Sequence, residues 1–235
     1  MRAGAALAAL LLSALSLATA CATPAPGGYK LGLTSAASQQ RFGIDRPLVG
    51  RLEAAMQRPN GATVDSRRFS RVFVEAEIAF VMGRSVDRSV RTMSALRDSV
   101  ATVHPAIELA DWRFGPDGTP DAAAIEADAV GAHRFVLGPG TAPGALRVAL
   151  ERARVVSIRD GVPLSAGRGV EAMGGPWQAL LWLAQRLHAR GTSLEPGDVV
   201  LTGALGGVHA FAPEDAAGRY RVEVEGLGAV EVLVR

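Results

Sequence analysis

FSRVFVEAEIAFVMG, Phe69–Gly83, alternates at period two and reads as a β-strand centred on Glu75-Ala76-Glu77. One face carries Val72, Val74, Ala76, Ile78, Phe80 and Met82, all apolar. The other carries Phe73, Glu75, Glu77, Ala79 and Val81, two acids among apolar neighbours. A strand of this kind is buried on both faces. Carboxylates two residues apart have Cβ atoms about 7 Å apart. Desolvation and mutual repulsion then raise a pKa or demand a cation. Two readings stay open: a divalent metal held by oxygen ligands, or acids paired with arginine or water. Arg67, Arg68 and Arg71 lie just upstream for the second. Glu108, in HPAIELAD (His104–Asp111), supplies a third acid that a helix-like segment can return to the same place. An all-carboxylate set suits Mg²⁺ or Mn²⁺ better than Zn²⁺, which prefers His and Cys.

Working outward, 235 residues at 49% hydrophobic and 20% charged give enough length for a substantial core. The net charge of +2 and the pI near 9.2 rest on arginine rather than on a basic patch, so no nucleic-acid footprint is expected. Lys30 is the single lysine of the chain. Cys21 is the single cysteine, which excludes an intrachain disulfide.

Residues 1–20 read as a signal peptide: Arg2, an apolar run Ala5–Leu17, then Ala18-Thr19-Ala20 as a cleavage site. Cys21 follows directly, the arrangement of a bacterial lipoprotein, with acylation of Cys21 and a lipid anchor in the membrane. Plain secretion and a buried first helix are the alternatives. Either exported form places the protein in the periplasm or on a membrane. Residues 21–28 form a linker, and the folded domain is expected over residues 29–235.

Within it, Tyr29–Thr34 reads as a strand holding Lys30, Ser35–Phe42 as a helix and Asp45–Gly50 as a loop. Ser89–Val103 reads as a helix capped by Ser89 and ended by Pro105, followed by a strand over Ala106–Trp112. Ala145–Ile158 reads as a long strand, turned at Asp160-Gly161, and Gly167–Gly175 as a loop. Pro176 opens a helix to Arg190 with Leu180, Leu183, Ala184 and Leu187 on its apolar face. Val199–Thr202 and the pair Tyr220–Val224 and Ala229–Val234 complete the strands. Such an order gives one mixed α+β domain. His209 lies in a Gly206–Phe211 loop near the expected mouth of the site, and Thr202 can donate to a substrate carboxylate.

YKLGLTS (Tyr29–Ser35), VEAEIAFVMGR (Val74–Arg84), HPAIELAD, GGPWQALLWLA (Gly174–Ala184), LEPGDVVLTGAL (Leu194–Leu205) and GLGAVEV (Gly226–Val232) occur in this order. Together they resemble the 2-keto-4-pentenoate hydratase branch of the fumarylacetoacetate hydrolase superfamily. The resemblance implies a mixed β-sheet roll and an Mg²⁺ or Mn²⁺ site on Glu75, Glu77 and Glu108. It implies Lys30 at the active site, a small 2-oxo acid substrate of the 2-hydroxypenta-2,4-dienoate type, and assembly into a homo-oligomer. Other superfamily chemistry, decarboxylation of 2-oxo acids or C–C hydrolysis of acylpyruvates, is an alternative, as is a non-catalytic envelope protein that binds a 2-oxo acid or metal. Two departures stand out. A signal-like stretch replaces an N-terminal helical segment, and Ala127-Asp128-Ala129-Val130-Gly131 stands where relatives often read A-D-N-A-S.

Overall fold

The computed structural model describes residues 27–88, 90, 92–115 and 120–235. The signal-like segment, Cys21 and the expected Ser89 cap lie outside these residues. In chain order the strands are β1 (Gly28–Gly32), β2 (Leu48–Leu52), β3 (Gln57–Arg58), β4 (Thr63–Val64), β5 (Val72–Met82), β6 (Val100–Asp111), β7 (Arg134–Leu137), β8 (Arg154–Arg159), β9 (Val162–Arg168), β10 (Val199–Leu201), β11 (Val208–Phe211), β12 (Gly218–Val224) and β13 (Gly228–Val234). The α-helices are α1 (Ala36–Phe42), α2 (Met93–Asp98), α3 (Ala122–Ala127) and α4 (Pro176–Ala189).

The strands form two sheets, ordered β2-β1-β10-β5-β6-β7-β3, with β11 added to β5, and β4-β13-β12-β8-β9. Parallel pairs (β1 with β10, β3 with β7, β4 with β13) sit among antiparallel ones, the mixed α+β arrangement that the element order implies. The alternation in β5 sets the layers. Val72, Val74, Ala76, Ile78, Phe80 and Met82 all enter the main core, with Val222, Val230 and Val232 of the second sheet and Leu180, Leu183 and Leu187 of α4. Burying a side chain of this size contributes roughly 1.5–3 kcal/mol. The opposite face of β5 has a smaller apolar cluster, Ala79, Ala106, Phe135, Val199 and Leu201.

The expected helix over Ser89–Val103 is shorter. Thr92 caps α2 by accepting from Ala95 N at 3.1 Å, and the helix stops at Asp98. Beyond it the β-branched Val100, Thr102 and Val103 favour extended backbone and open β6. Pro105 lies inside that strand rather than ending a helix. Its carbonyl accepts from Gly138 N at 2.8 Å, so its missing N–H faces the side where β7 has already ended at Leu137. No ladder bond is lost there. The expected long strand Ala145–Ile158 is ordered as a strand only from Arg154. Leu48–Leu52, read partly as loop, is an edge strand beside β1, and Val162–Arg168 extends β9 into the expected glycine loop.

Candidate metal centre

β5 and β6 pair antiparallel with Glu75 opposite Glu108 and Glu77 opposite Ala106. Lys30 of β1 is opposite Leu201, and Leu201 is opposite Ala79, two residues beyond Glu77. Cross-strand partners share a face, so Lys30 stands on the same face as the three acids. One ligand oxygen from each of Glu75, Glu77 and Glu108 lies within 4.8 Å of the others. Lys30 Nζ is 2.6 Å from Glu108 Oε1, both side chains almost fully buried.

The acids are not satisfied by the protein. Gly203 N donates to Glu77 Oε2 at 2.8 Å, but Glu77 Oε1 has no hydrogen-bond partner. Glu108 Oε1 is held by the Lys30 ammonium, and Glu108 Oε2 has no hydrogen-bond partner. Buried carboxylate oxygens without donors are costly, and a bound cation is the group that removes the cost. The trio therefore fits a divalent ion, with all-oxygen ligands of the kind Mg²⁺ and Mn²⁺ accept.

Electrostatics follow from the crowding. Burial, partly offset by Lys30 and reinforced by Glu108, raises the half-buried Glu75 to about 7. Burial, then Glu108 and Glu75, hold Glu77 well above the usual carboxylate range. Burial alone would lower Lys30, yet the three carboxylates, Glu108 first, outweigh it and leave the ammonium raised. In the absence of a cation, then, Lys30 is a held positive charge rather than a ready proton donor.

Two glycines make room for this packing. Gly203 sits at φ +106, and a Cβ there would come 2.5 Å from Thr34 Oγ1, so only glycine brings its N–H to Glu77. At Gly50 a Cβ would meet Ala129 O at 2.1 Å and Lys30 Cγ at 2.9 Å. The turn Ala129-Val130-Gly131 thus lies directly over β1 and β2. It forms a roof there, with the Ala129 carbonyl over Gly50 and the Val130 side chain over Gly32.

Lys30, Glu75, Glu77 and Glu108 are brought together; Thr202 and His209 are not presented to them. Thr202 is fully buried, and its hydroxyl donates to Ile78 O at 2.7 Å. It ties β10 to β5 and sets Gly203 in place. His209 belongs to β11, which the sequence left as a loop. It is opposite Val74 and therefore on the core side of β5, bonded to Ser165 Oγ at 2.9 Å. The residue that β11 does place beside Glu75 is Val208, 49% exposed. Sequence reasoning missed Gly203, Gly50 and Val208. Gly203 carried a signal, the glycine directly after the Val199–Thr202 strand.

The fumarylacetoacetate (FAA) hydrolase C-terminal family matches residues 37–235. A 2-keto-4-pentenoate hydratase of Burkholderia vietnamiensis is 38% identical over 204 residues, 86% of this chain and 76% of that protein. A TodF product hydratase of Pseudomonas putida is 36% identical over 86% of this chain and 74% of its own. Among solved structures, a 4-oxalocrotonate decarboxylase from Pseudomonas putida G7, complexed with magnesium and adipate, superposes with a TM-score of 0.81 at 26% identity, covering 89% of this chain and 78% of that one. With a family match across this span and hydratase relatives over most of its length, the chain belongs to the fumarylacetoacetate hydrolase family.

Proposed function

We propose that the chain is a divalent-metal-dependent hydro-lyase for 2-oxo acids of the 2-hydroxypenta-2,4-dienoate type. The observation that carries this is the convergence of Glu75, Glu77 and Glu108 within 4.8 Å, with buried oxygens left without donors. The hydratase relatives support the reaction class. Glu75, Glu77 and Glu108 would hold Mg²⁺ or Mn²⁺. Such an ion supplies Lewis-acid polarisation of a 2-oxo acid's carboxylate and C2 oxygen. Lys30 keeps its proton at Nζ against Glu108 and directs positive charge toward an anionic substrate. Ala79, Ala106, Phe135 and Leu201 flank the acids on the same face as apolar neighbours. The half-buried Glu75 marks the side from which water and substrate enter.

The test is turnover by the purified protein with Mg²⁺ and with Mn²⁺, on 2-hydroxypenta-2,4-dienoate, oxaloacetate and an acylpyruvate. Hydration of the dienoate supports the proposal, and its absence beside turnover of another substrate overturns it. The likeness to a decarboxylase favours decarboxylation of 2-oxo diacids as the second reading. Metal binding without any turnover would indicate a binding protein. Lys30→Arg keeps a cation but not a compact ammonium. It is expected to retain the fold and the metal and to lose most turnover; near-normal activity would reduce Lys30 to a source of charge. Export with acylation at Cys21 belongs to the proposal on the sequence pattern alone. Cys21→Ser is expected to release the protein from membranes or block its processing, whereas a cytosolic chain still beginning at Met1 overturns it.

A further inference from the structure

Aromatic residues are scarce in this chain, 5% of the total. Four of them nevertheless gather at one end of the carboxylate face. Phe73 precedes Glu75 by two residues on β5 and so shares its face, opposite Ala110 of β6. Trp112 lies two residues past Ala110, with its N–H bonded to Arg71 O at 3.2 Å. The Trp112 ring centroid is 6.0 Å from Phe73, 6.0 Å from Phe42 and 5.0 Å from Phe114. All four residues are only half-buried, and none belongs to either hydrophobic core. Val208 and Ala210 of β11, opposite Glu75 and Phe73, continue the same apolar surface.

Half-exposed rings grouped outside a core mark a surface made for a ligand more often than for stability. The occupant is constrained by what lies next to it. Two strand residues, about 7 Å, separate Phe73 from Glu75, the reach of a short conjugated chain whose other end is at the carboxylates. Cations beside the rings are already engaged: Arg113 pairs with Asp128 at 2.7 Å and Asp111 at 3.5 Å, and Arg41 lies over the Phe42 ring at 5.9 Å. Arg71, exposed at the start of β5, is the group that a distal carboxylate would need.

We propose that Phe42, Phe73, Trp112 and Phe114 form the subsite for the far end of the substrate, and that this end is apolar and π-rich, an alkenyl or aryl substituent rather than a second carboxylate. The inference rests on the reading of the acids as the 2-oxo acid end of the site. Ring–ring contact adds to the burial of such a substituent.

Calorimetric titration of the Mg²⁺-loaded protein with 2-oxobutanoate, 2-oxo-4-phenylbutanoate and 2-oxoadipate tests it. The phenyl compound is expected to bind about tenfold tighter than 2-oxobutanoate, with no such gain for 2-oxoadipate. Trp112→Ala is expected to remove that gain while changing 2-oxobutanoate affinity by less than about twofold. Trp112→Phe is expected to keep most of it. Phe42→Ala provides a second variant should Trp112→Ala fail to fold. Equal binding of the phenyl and short acids, or equal weakening of both by these variants, overturns the subsite. Tighter binding of 2-oxoadipate, lost in Arg71→Ala, assigns the same face to a carboxylate. If the phenyl acid and 2-oxoadipate fail but 2-oxobutanoate binds, the subsite alone falls. If none of the three binds, the 2-oxo acid reading falls and the subsite with it.

Discussion

The two faces of β5 are built from alternate residues of one strand, yet they meet opposite standards. On the core face, Ile78, Phe80 and their neighbours are fully buried among apolar partners from the second sheet and α4. The side chains that β5 itself sends to that face are all apolar. On the other face, two carboxylates of β5 and one of β6 are crowded around a single ammonium, with oxygens that no protein donor reaches. The first face stabilises the fold; the second is held in place by it at a cost to stability. Sites poised for a ligand commonly oppose stability in this way.

The largest expected effect separates the faces from the core side. Ile78→Ala removes a fully buried branched side chain and leaves a cavity, at about 2–5 kcal/mol of stability. Mn²⁺ affinity of the folded fraction should be unchanged, since Ile78 points away from the acids. A large drop in Mn²⁺ affinity measured by titration well below the unfolding temperature would mean that the faces are not independent.

The next effect comes from the acid side. Glu77→Gln and Glu108→Gln should each weaken Mn²⁺ binding by at least about a hundredfold, near 2.7 kcal/mol. Glu77→Gln should leave the metal-free melting temperature level or raised, because a crowded acid is gone, whereas Glu108→Gln should lower it, because the buried Lys30 ammonium loses its nearest partner. Isothermal titration and thermal scans on the same samples give both readings. Unchanged Mn²⁺ affinity in both variants and in Glu75→Gln would make the three acids structural.

A smaller effect is carried by pH. Glu75 is raised from 4.5 to about 7 on folding. An acid with a raised folded pKa contributes stability that is complete below its unfolded pKa and is lost as pH rises through the folded one. Glu77 acts in the same sense. Lys30, raised in the fold, keeps its proton throughout that window. The metal-free protein should therefore lose a few degrees of melting temperature between about pH 4.5 and 7. Saturating Mg²⁺ should flatten the slope, and Glu75→Gln should reduce it. A metal-free melting temperature that climbs steadily over the same range would contradict the crowding of these acids.

What the sequence revealed of this arrangement divides by distance along the chain. The parity of β5 is a local property, so both of its faces were readable from fifteen residues. Glu108 came from reading the intervening segment as a return to the same place, and Lys30 from motifs in the right order, since nothing local states that β6 and β1 end beside β5. His209 shows the limit: its face depends on the register of β11 against β5, and a one-residue slip reverses it. α2 was over-extended because Val90, Met93, Leu96 and Val100 fit a helical spacing, while β-branched residues from Val100 onward favour a strand and tertiary pairing decides between them. The aromatic group was missed although Phe73 shares parity with Glu75 and Trp112 with Glu108. Its remaining members come from α1 and from beyond β6, and only the fold joins them.

The smallest prediction sharpens the contrast at the roof of the acid face. Ala129 and Val130 hold φ of 51° and 56°, the left-handed region that side chains other than Asn, Asp and Gly seldom occupy. That conformation costs roughly 1–2 kcal/mol per residue. Val130 cannot readily be exchanged, because its Cγ1 fills the space above Gly32, only 2.3 Å from where a Cβ would stand. Ala129 contributes little beyond its backbone carbonyl over Gly50 and a methyl against the smaller apolar cluster. Asparagine tolerates the left-handed region through local hydrogen bonding, and it is the residue found there in the A-D-N-A-S pattern. Ala129→Asn is therefore expected to raise stability by about 0.5–1 kcal/mol, seen as a rise of a few degrees in the melting temperature. A fall would show that the methyl's packing outweighs the backbone strain, and that the roof, like the core face and unlike the acids, is held for stability.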